Sequence, residues 1–187
     1  RRAKSLLSPS MIRPFFLLCA VLAVALAGCA TPEGPATRLD KANVLPLELD
    51  DSFQFRKILT SVFDPYLVEQ RAPGGSTGGV IDFERQRRTW GAVDSLEVSK
   101  RHGSYFTFFW RTSSDSDVTL RLEYRQAGLG NYVMAQERYY PAARGSHRST
   151  FQVTGDDFLE NGLVSAWRAL LIVNGRVVGL RQSSMWR

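Results

Sequence analysis

The chain has 187 residues, 44% of them hydrophobic, with 24 Lys and Arg against 18 Asp and Glu for a formal net charge of +6. Residues 1–28 hold Arg1, Arg2, Lys4 and Arg13 and no acid, so the remainder sets 20 cations against 18 anions, net +2, which makes no electrostatic case for nucleic acid as a partner. Both cysteines, Cys19 and Cys29, fall in the first 29 residues, so the chain beyond them has no thiol catalysis, no disulfide and no cysteine-ligated metal.

Phe15 to Leu26 is an unbroken apolar run of 12 residues. A membrane-spanning helix needs about 20, whereas this length suits the apolar region of a secretory signal peptide. Arg13 supplies the positive residue ahead of the run, and Met11 stands just before it, which predicts translation from Met11 with residues 1–10 an upstream extension of the frame. The run ends in Leu26-Ala27-Gly28-Cys29. This resembles the lipobox of bacterial lipoproteins, in which small residues before a cysteine admit a dedicated signal peptidase.

The resemblance covers Met11 to Cys29 and all four lipobox positions. It implies a signal-peptide helix over 1–28, cleavage after Gly28 with Leu26, Ala27 and Gly28 as the recognition residues, and Cys29 as the acylated first residue of the mature chain. It also implies a membrane partner reached through that lipid. Each buried methylene adds about 0.8 kcal/mol, so two or more chains anchor stably. Ala30, where such lipoproteins carry aspartate when retained at the inner membrane, favours the outer membrane. The alternatives are an ordinary cleaved signal with an incidental cysteine, or an uncleaved anchor.

Residues 29–50 contain Pro32, Gly34, Pro35 and Pro46 and few large apolar side chains, which reads as a lipidated N-terminus and flexible tether reaching roughly 25 Å as a coil. Residues 51–79 read as an irregular or short helical segment, with Leu59, Val62, Phe63 and Tyr66 at helical spacing, followed by a Gly-rich loop from Ala72 to Gly79. That loop lacks the Lys-Ser/Thr pair of a phosphate cradle. Residues 80–187 read as strands and turns. Val80 to Trp90 carries Arg85, Arg87 and Arg88, with Arg85 and Arg87 on one solvated strand face.

Ser104 to Thr112 places Phe106, Phe108 and Trp110 on one face and Tyr105, Thr107 and Phe109 on the other, as in a strand buried on both sides. Ser113 to Asp117 reads as a turn. Val118, Leu120, Leu122 and Tyr124 then alternate with Thr119, Arg121, Glu123 and Arg125, one face for the core and one for water. Tyr132 to Tyr140 is a strand ended by Pro141, and Thr150 to Thr154 another. A connection over 155–162 has room for one helical turn. Val164 to Val173 and Arg176 to Gln182 form a hairpin around Asn174-Gly175, residues that both tolerate the positive φ of a two-residue type I′ turn. About seven short strands predict an all-β fold, an antiparallel two-sheet β-sandwich; an eight-stranded barrel is the alternative. The region looks like an immunoglobulin or fibronectin type III-like domain in architecture, without the Cys-Trp-Cys signature.

No motif for catalysis stands out. His102 and His147, each close to an arginine, read as exposed turn histidines without metal spacing. Asp156, Asp157 and Glu160 form the densest acid group; they read as turn caps rather than a calcium loop or a hydrolytic carboxylate pair. Trp186 reads as a packing plug. Arg138, Tyr139, Tyr140, Arg144 and Arg148 interleave aromatic and basic residues and make the candidate partner surface, since arginine suits bidentate oxyanion contacts. The expectation is a non-catalytic, membrane-anchored envelope module needing no cofactor and no metal, with another envelope protein or a glycan as partner.

Overall fold

In a computed structural model of the chain, residues 33–39, 41–64 and 87–187 are described. The signal peptide, Leu26, Ala27, Gly28 and Cys29, the Gly-rich loop and most of the strand expected at 80–90 lie outside the described residues. Among the described residues no helix is long and apolar enough to cross a membrane.

Six strands form one antiparallel sheet: β1 (Thr37–Leu39), β2 (Phe53–Phe63), β3 (Gly103–Gln126), β4 (Met134–Thr154), β5 (Val164–Val173) and β6 (Arg176–Gln182). The helix α1 (Ser95–Ser99) precedes β3, and α2 (Asp156–Asn161) joins β4 to β5. The long β3 is the spine. Its first half pairs with β2 and with the second half of β4; its second half pairs with β5 and with the first half of β4. β1 adds to the outside of β4, and β6 to the outside of β5.

Three expectations change here. Ser113 to Asp117 is not a turn between two strands but a bend inside β3, and Pro141 does not end its strand. Pairing shifts register between Thr112 and Ser116 and again between Ser116 and Val118, so β3 and β4 bend together. A bulge asks for fewer ladder donors, which is where a proline without N–H is tolerated. Here Asp117 Oδ1 accepts from Ala142 N at 2.8 Å, while Ala142 and Gly145 take positive φ of 45° and 80°. Phe53 to Phe63, expected as irregular or helical, is a full strand. A bulge at Phe55/Lys57 returns Phe53, Phe55 and Ile58 to one face despite their uneven spacing, while Leu59 and Val62 of the helical pattern are exposed on the strand.

The bend folds the inner face onto itself. Phe106, Phe108 and Trp110 from the first half of β3, Val118, Leu120, Leu122 and Tyr124 from the second, and Phe151, Val153, Ala169 and Leu171 share one buried cluster. Trp167 of β5 packs edge-on against Phe106 and Phe108 at 6.1 and 5.7 Å between ring centres. The Asn174-Gly175 hairpin forms as expected, with φ of 50° and 73°.

The segment expected as a free tether is largely docked. Leu47 bridges Val177 in parallel, Glu48 N and Asp50 N each donate to β6 carbonyls at 2.9 Å, and Leu45 packs on Leu170, Ile172 and Val177. This strap also covers the face of β3 expected to meet water. Arg121 and Glu123 are buried, at 7% and 1% exposure. Arg121 donates to Glu137 at 2.5 Å and to the Asn43 carbonyl at 2.9 Å, and Arg168 donates to Glu123 at 2.5 Å. Trp186 closes the far side, its ring against the Arg125 and Arg168 guanidiniums, and so packs as the plug it was expected to be.

Candidate functional site: an arginine-lined groove

The strand register sets three rows of side chains on the outer face of the first half of the sheet. Ser61, Tyr105 and Gln152 stand across from one another, then Leu59, Thr107 and Thr150, then Lys57, Phe109 and Arg148. Because alternate residues point to opposite faces, the alternation that buries Phe106 and Phe108 puts these residues outside. The helical turn at 87–89 walls one side with Arg87 and Arg88, and Arg148 and Arg138 wall the other. The groove between them encloses about 630 Å³, and no Asp or Glu is among its described lining residues.

Arg88, Arg138 and Arg148 are positioned by packing against aromatic rings. Arg88 lies 3.6 Å from the centre of the Tyr105 ring and donates to Ser61 Oγ at 3.1 Å. Arg101 donates to the Arg88 and Trp90 carbonyls at 3.0 and 2.6 Å, which pins that turn to the start of β3, while Tyr105 OH donates to the Arg101 carbonyl at 2.5 Å. Burial raises the Tyr105 pKa, opposed by Arg88 and Arg101, so the phenol stays neutral and keeps its proton in that bond. Arg138 belongs to the other limb of the bent β4 and reaches back around its edge. Its Nε donates to the Thr150 carbonyl at 2.9 Å, another nitrogen donates to the Gly34 carbonyl, and its guanidinium sits 5.5 Å from the Phe151 ring centre. Gln136 Nε2 similarly donates to the Gln152 carbonyl at 3.0 Å.

The expected partner surface is thereby divided. Arg138 and Arg148 meet at the groove, Arg148 with its guanidinium 5.9 Å from the Phe109 ring centre. Tyr139 is exposed on the opposite limb and hydrogen-bonds Asp117, which raises the phenol pKa and, with the Ala142 amide, lowers that of the carboxyl. Arg144 faces Asp115 at 3.4 Å on the surface. Tyr140 points inward: its OH and Ser149 Oγ are 2.5 Å apart, and its ring meets Trp110 at 5.2 Å. The clustering of arginine with tyrosine is visible in sequence; that Arg87 and Arg88 complete the groove is not, because nothing local ties them to β4. They lie in a helical turn rather than the expected strand.

Both histidines depart from the expected exposed turns. His102 is buried at 8% exposure against Phe63, 5.2 Å between ring centres, and burial lowers its pKa against the opposing pull of Asp64. His147 stacks on Trp110 at 4.3 Å within β4, and burial lowers its pKa as well. Asp157 is held by Arg38 of β1, whose Nη1 donates to both carboxylate oxygens at 2.7 Å. Among the described residues no group of three or more His, Cys, Asp or Glu is placed to hold a metal.

Four guanidiniums, a group suited to oxyanion contacts, thus gather around hydroxyl and amide side chains. No match to this chain was found among protein-family models, curated proteins or solved structures.

Proposed function

We propose that this chain is a lipid-anchored bacterial envelope protein whose β domain works by binding and not by catalysis. The observation that carries the anchor is Leu26-Ala27-Gly28-Cys29 after a 12-residue apolar run, and Ala30 favours the outer membrane. The observation that favours binding is the groove, with four arginines and no acidic lining residue among the described ones. We read the bent sheet as the two layers of an immunoglobulin-like sandwich, a reading supported by the packing of Trp167 on Phe106 and Phe108 across the fold. The partner is another component of the envelope.

A glycan-binding module is the second reading, favoured by the exposed rings of Trp90, Tyr132 and Tyr139. Against it, Tyr105 is the one tyrosine among the groove's described lining residues, and Arg88 covers its ring face, the platform a sugar would use. The deciding experiment is intact mass and membrane fractionation of the chain expressed in a bacterium, beside Cys29→Ala. Acyl mass on a membrane-bound chain beginning at Cys29, with a released and unacylated variant, is the expected result. Release of the wild type without lipid would overturn the anchor and raise the glycan reading.

A further inference from the structure

We propose that the hollow between the strap and the outer face of β3 and β5 binds a small organic carboxylate with an apolar tail, its carboxylate held by Arg168 and Lys41. The inference goes beyond the envelope-binding reading and rests neither on the lipid anchor nor on the groove.

The hollow encloses about 240 Å³, with Lys41, Asn43 and Val44 of the strap, Tyr132 ahead of β4, and Glu123 and Arg168 among its described lining residues. Glu123 and Arg168 stand opposite each other across β3 and β5, so both side chains leave the same face of the sheet. Glu123 is 1% exposed; one carboxylate oxygen accepts from Arg168 Nε at 2.5 Å, and the other lies 3.5 Å from Arg121 Nη1. The Arg168 guanidinium also lies over the Trp186 ring, 4.8 Å from its centre. A buried anion at one edge and an indole on one face thus fix how this guanidinium points. Its two terminal nitrogens make no hydrogen bond to the described residues.

The chemistry around that fork suits a carboxylate. Lys41 is exposed and makes no hydrogen bond or ion pair with the described residues. Asn43 is fixed through its main chain, whose carbonyl accepts from Arg121 at 2.9 Å. In and behind the hollow, Lys41, Arg121 and Arg168 face Glu123 and Glu137, three cations against two anions, so the local balance favours an anion. A guanidinium engaged at Nε presents its two terminal nitrogens as parallel donors, matched to the two oxygens of a carboxylate, and the lysine ammonium adds a point charge. Val44, 94% exposed, and the Tyr132 ring, 56% exposed, supply an apolar wall that a phosphate ion would leave unused. A volume of about 240 Å³ falls below the roughly 300–1,000 Å³ of sites for drug-sized ligands, which points to a small molecule.

The test follows backbone and arginine Nε–H signals of the full mature chain carrying Cys29→Ala by nuclear magnetic resonance, during titration with hexanoate, hexanamide or inorganic phosphate. Expected are saturable shifts at Arg168 Nε–H and at the Lys41, Val44 and Tyr132 amides with millimolar hexanoate. The neutral amide and phosphate should each bind at least about tenfold more weakly. Lys41→Gln removes a cation without a protein partner, and should weaken hexanoate about tenfold with an unchanged thermal transition. Arg168→Lys keeps a cation beside Glu123 but removes the fork, and should abolish saturable binding. Lys57→Gln removes an exposed lysine outside the hollow and should leave binding intact. No saturable shift at the hollow, equal binding of hexanamide, unchanged affinity in Lys41→Gln or Arg168→Lys, or equal loss in Lys57→Gln would overturn the proposal. Phosphate binding as tight as hexanoate would assign the hollow to free oxyanions and also overturn it.

Discussion

Ser149 shows how much one small polar residue organises. It is fully buried, accepts from Trp110 Nε1 at 2.8 Å and bonds Tyr140 OH at 2.5 Å. Ser149→Ala removes both bonds and strips the buried indole N–H of its hydrogen bond to Ser149, a loss of about 1–3 kcal/mol read as a lower urea midpoint with an unchanged slope. The neighbouring His147 gives a pH signature. Its folded pKa lies below the ordinary imidazole value because burial disfavours the charged ring. The folded chain then binds fewer protons than the unfolded one, so this stability is fully present above about pH 6.5 and is lost as pH falls towards the folded value. The wild type should lose more thermal stability between about pH 7 and about pH 5 than His147→Gln does. Parallel losses in the two proteins would show that His147 carries none of the effect. A histidine beside an arginine looks like a surface turn in sequence; the cross-strand tryptophan it stacks on is what half-buries it.

At the scale of elements, glycine separates conformational from steric demands. Gly175 has φ of 73° and open space where a Cβ would stand, so Gly175→Ala should cost only the left-handed penalty, about 1–2 kcal/mol. At Gly103 an added Cβ would run into the Val153 carbonyl and stand 2.9 Å from Thr154 Cα. Those are backbone atoms of the paired strand, so Gly103→Ala must part β3 from β4 and should cost more, about 3 kcal/mol. Chemical denaturation of the two variants checks the order, and equal costs would refute the close approach. The Asn174-Gly175 hairpin and the alternation of Val118 to Tyr124 were legible because both are local. The bends of β3 and β4 were not. Ser113 to Asp117 and Pro141 carry ordinary turn chemistry, and whether a chain turns back or merely bends depends on whether a partner strand bends with it.

For the molecule as a whole, the decisive feature is the strap from Gly34 to Asp50. With Glu48 and Asp50 amides bonded to β6 and Arg121 bonded to the Asn43 carbonyl, this segment belongs to the fold. Amide exchange at Glu48 and Asp50 should accordingly be slowed along with β6, whereas exchange at the rate of an unstructured peptide would return the segment to a free tether. Its proline-rich composition reads as linker, because a strand that contributes backbone bonds and one leucine leaves little hydrophobic pattern. The same strap explains why Arg121 and Glu123, polar positions in a regular alternation, are buried as an ion-paired layer. Alternation reports that two faces differ, not that one of them meets water.

By itself the sequence determined the β character of the chain, the inner face of its aromatic strand, the hairpin at Asn174-Gly175 and the resemblance that points to Cys29, because each is written in neighbouring residues. Tertiary structure alone decided that the strands join in one bent sheet, that His102, Arg121 and Glu123 are buried and His147 stacks on Trp110, and that Arg87, Arg88, Arg138 and Arg148 surround one groove. These facts depend on contacts between residues far apart in the sequence, such as Arg121 with the Asn43 carbonyl, 78 positions away. A period of two or 3.6 records the direction of a side chain, while what that side chain meets is set by the register and bending of strands elsewhere in the chain.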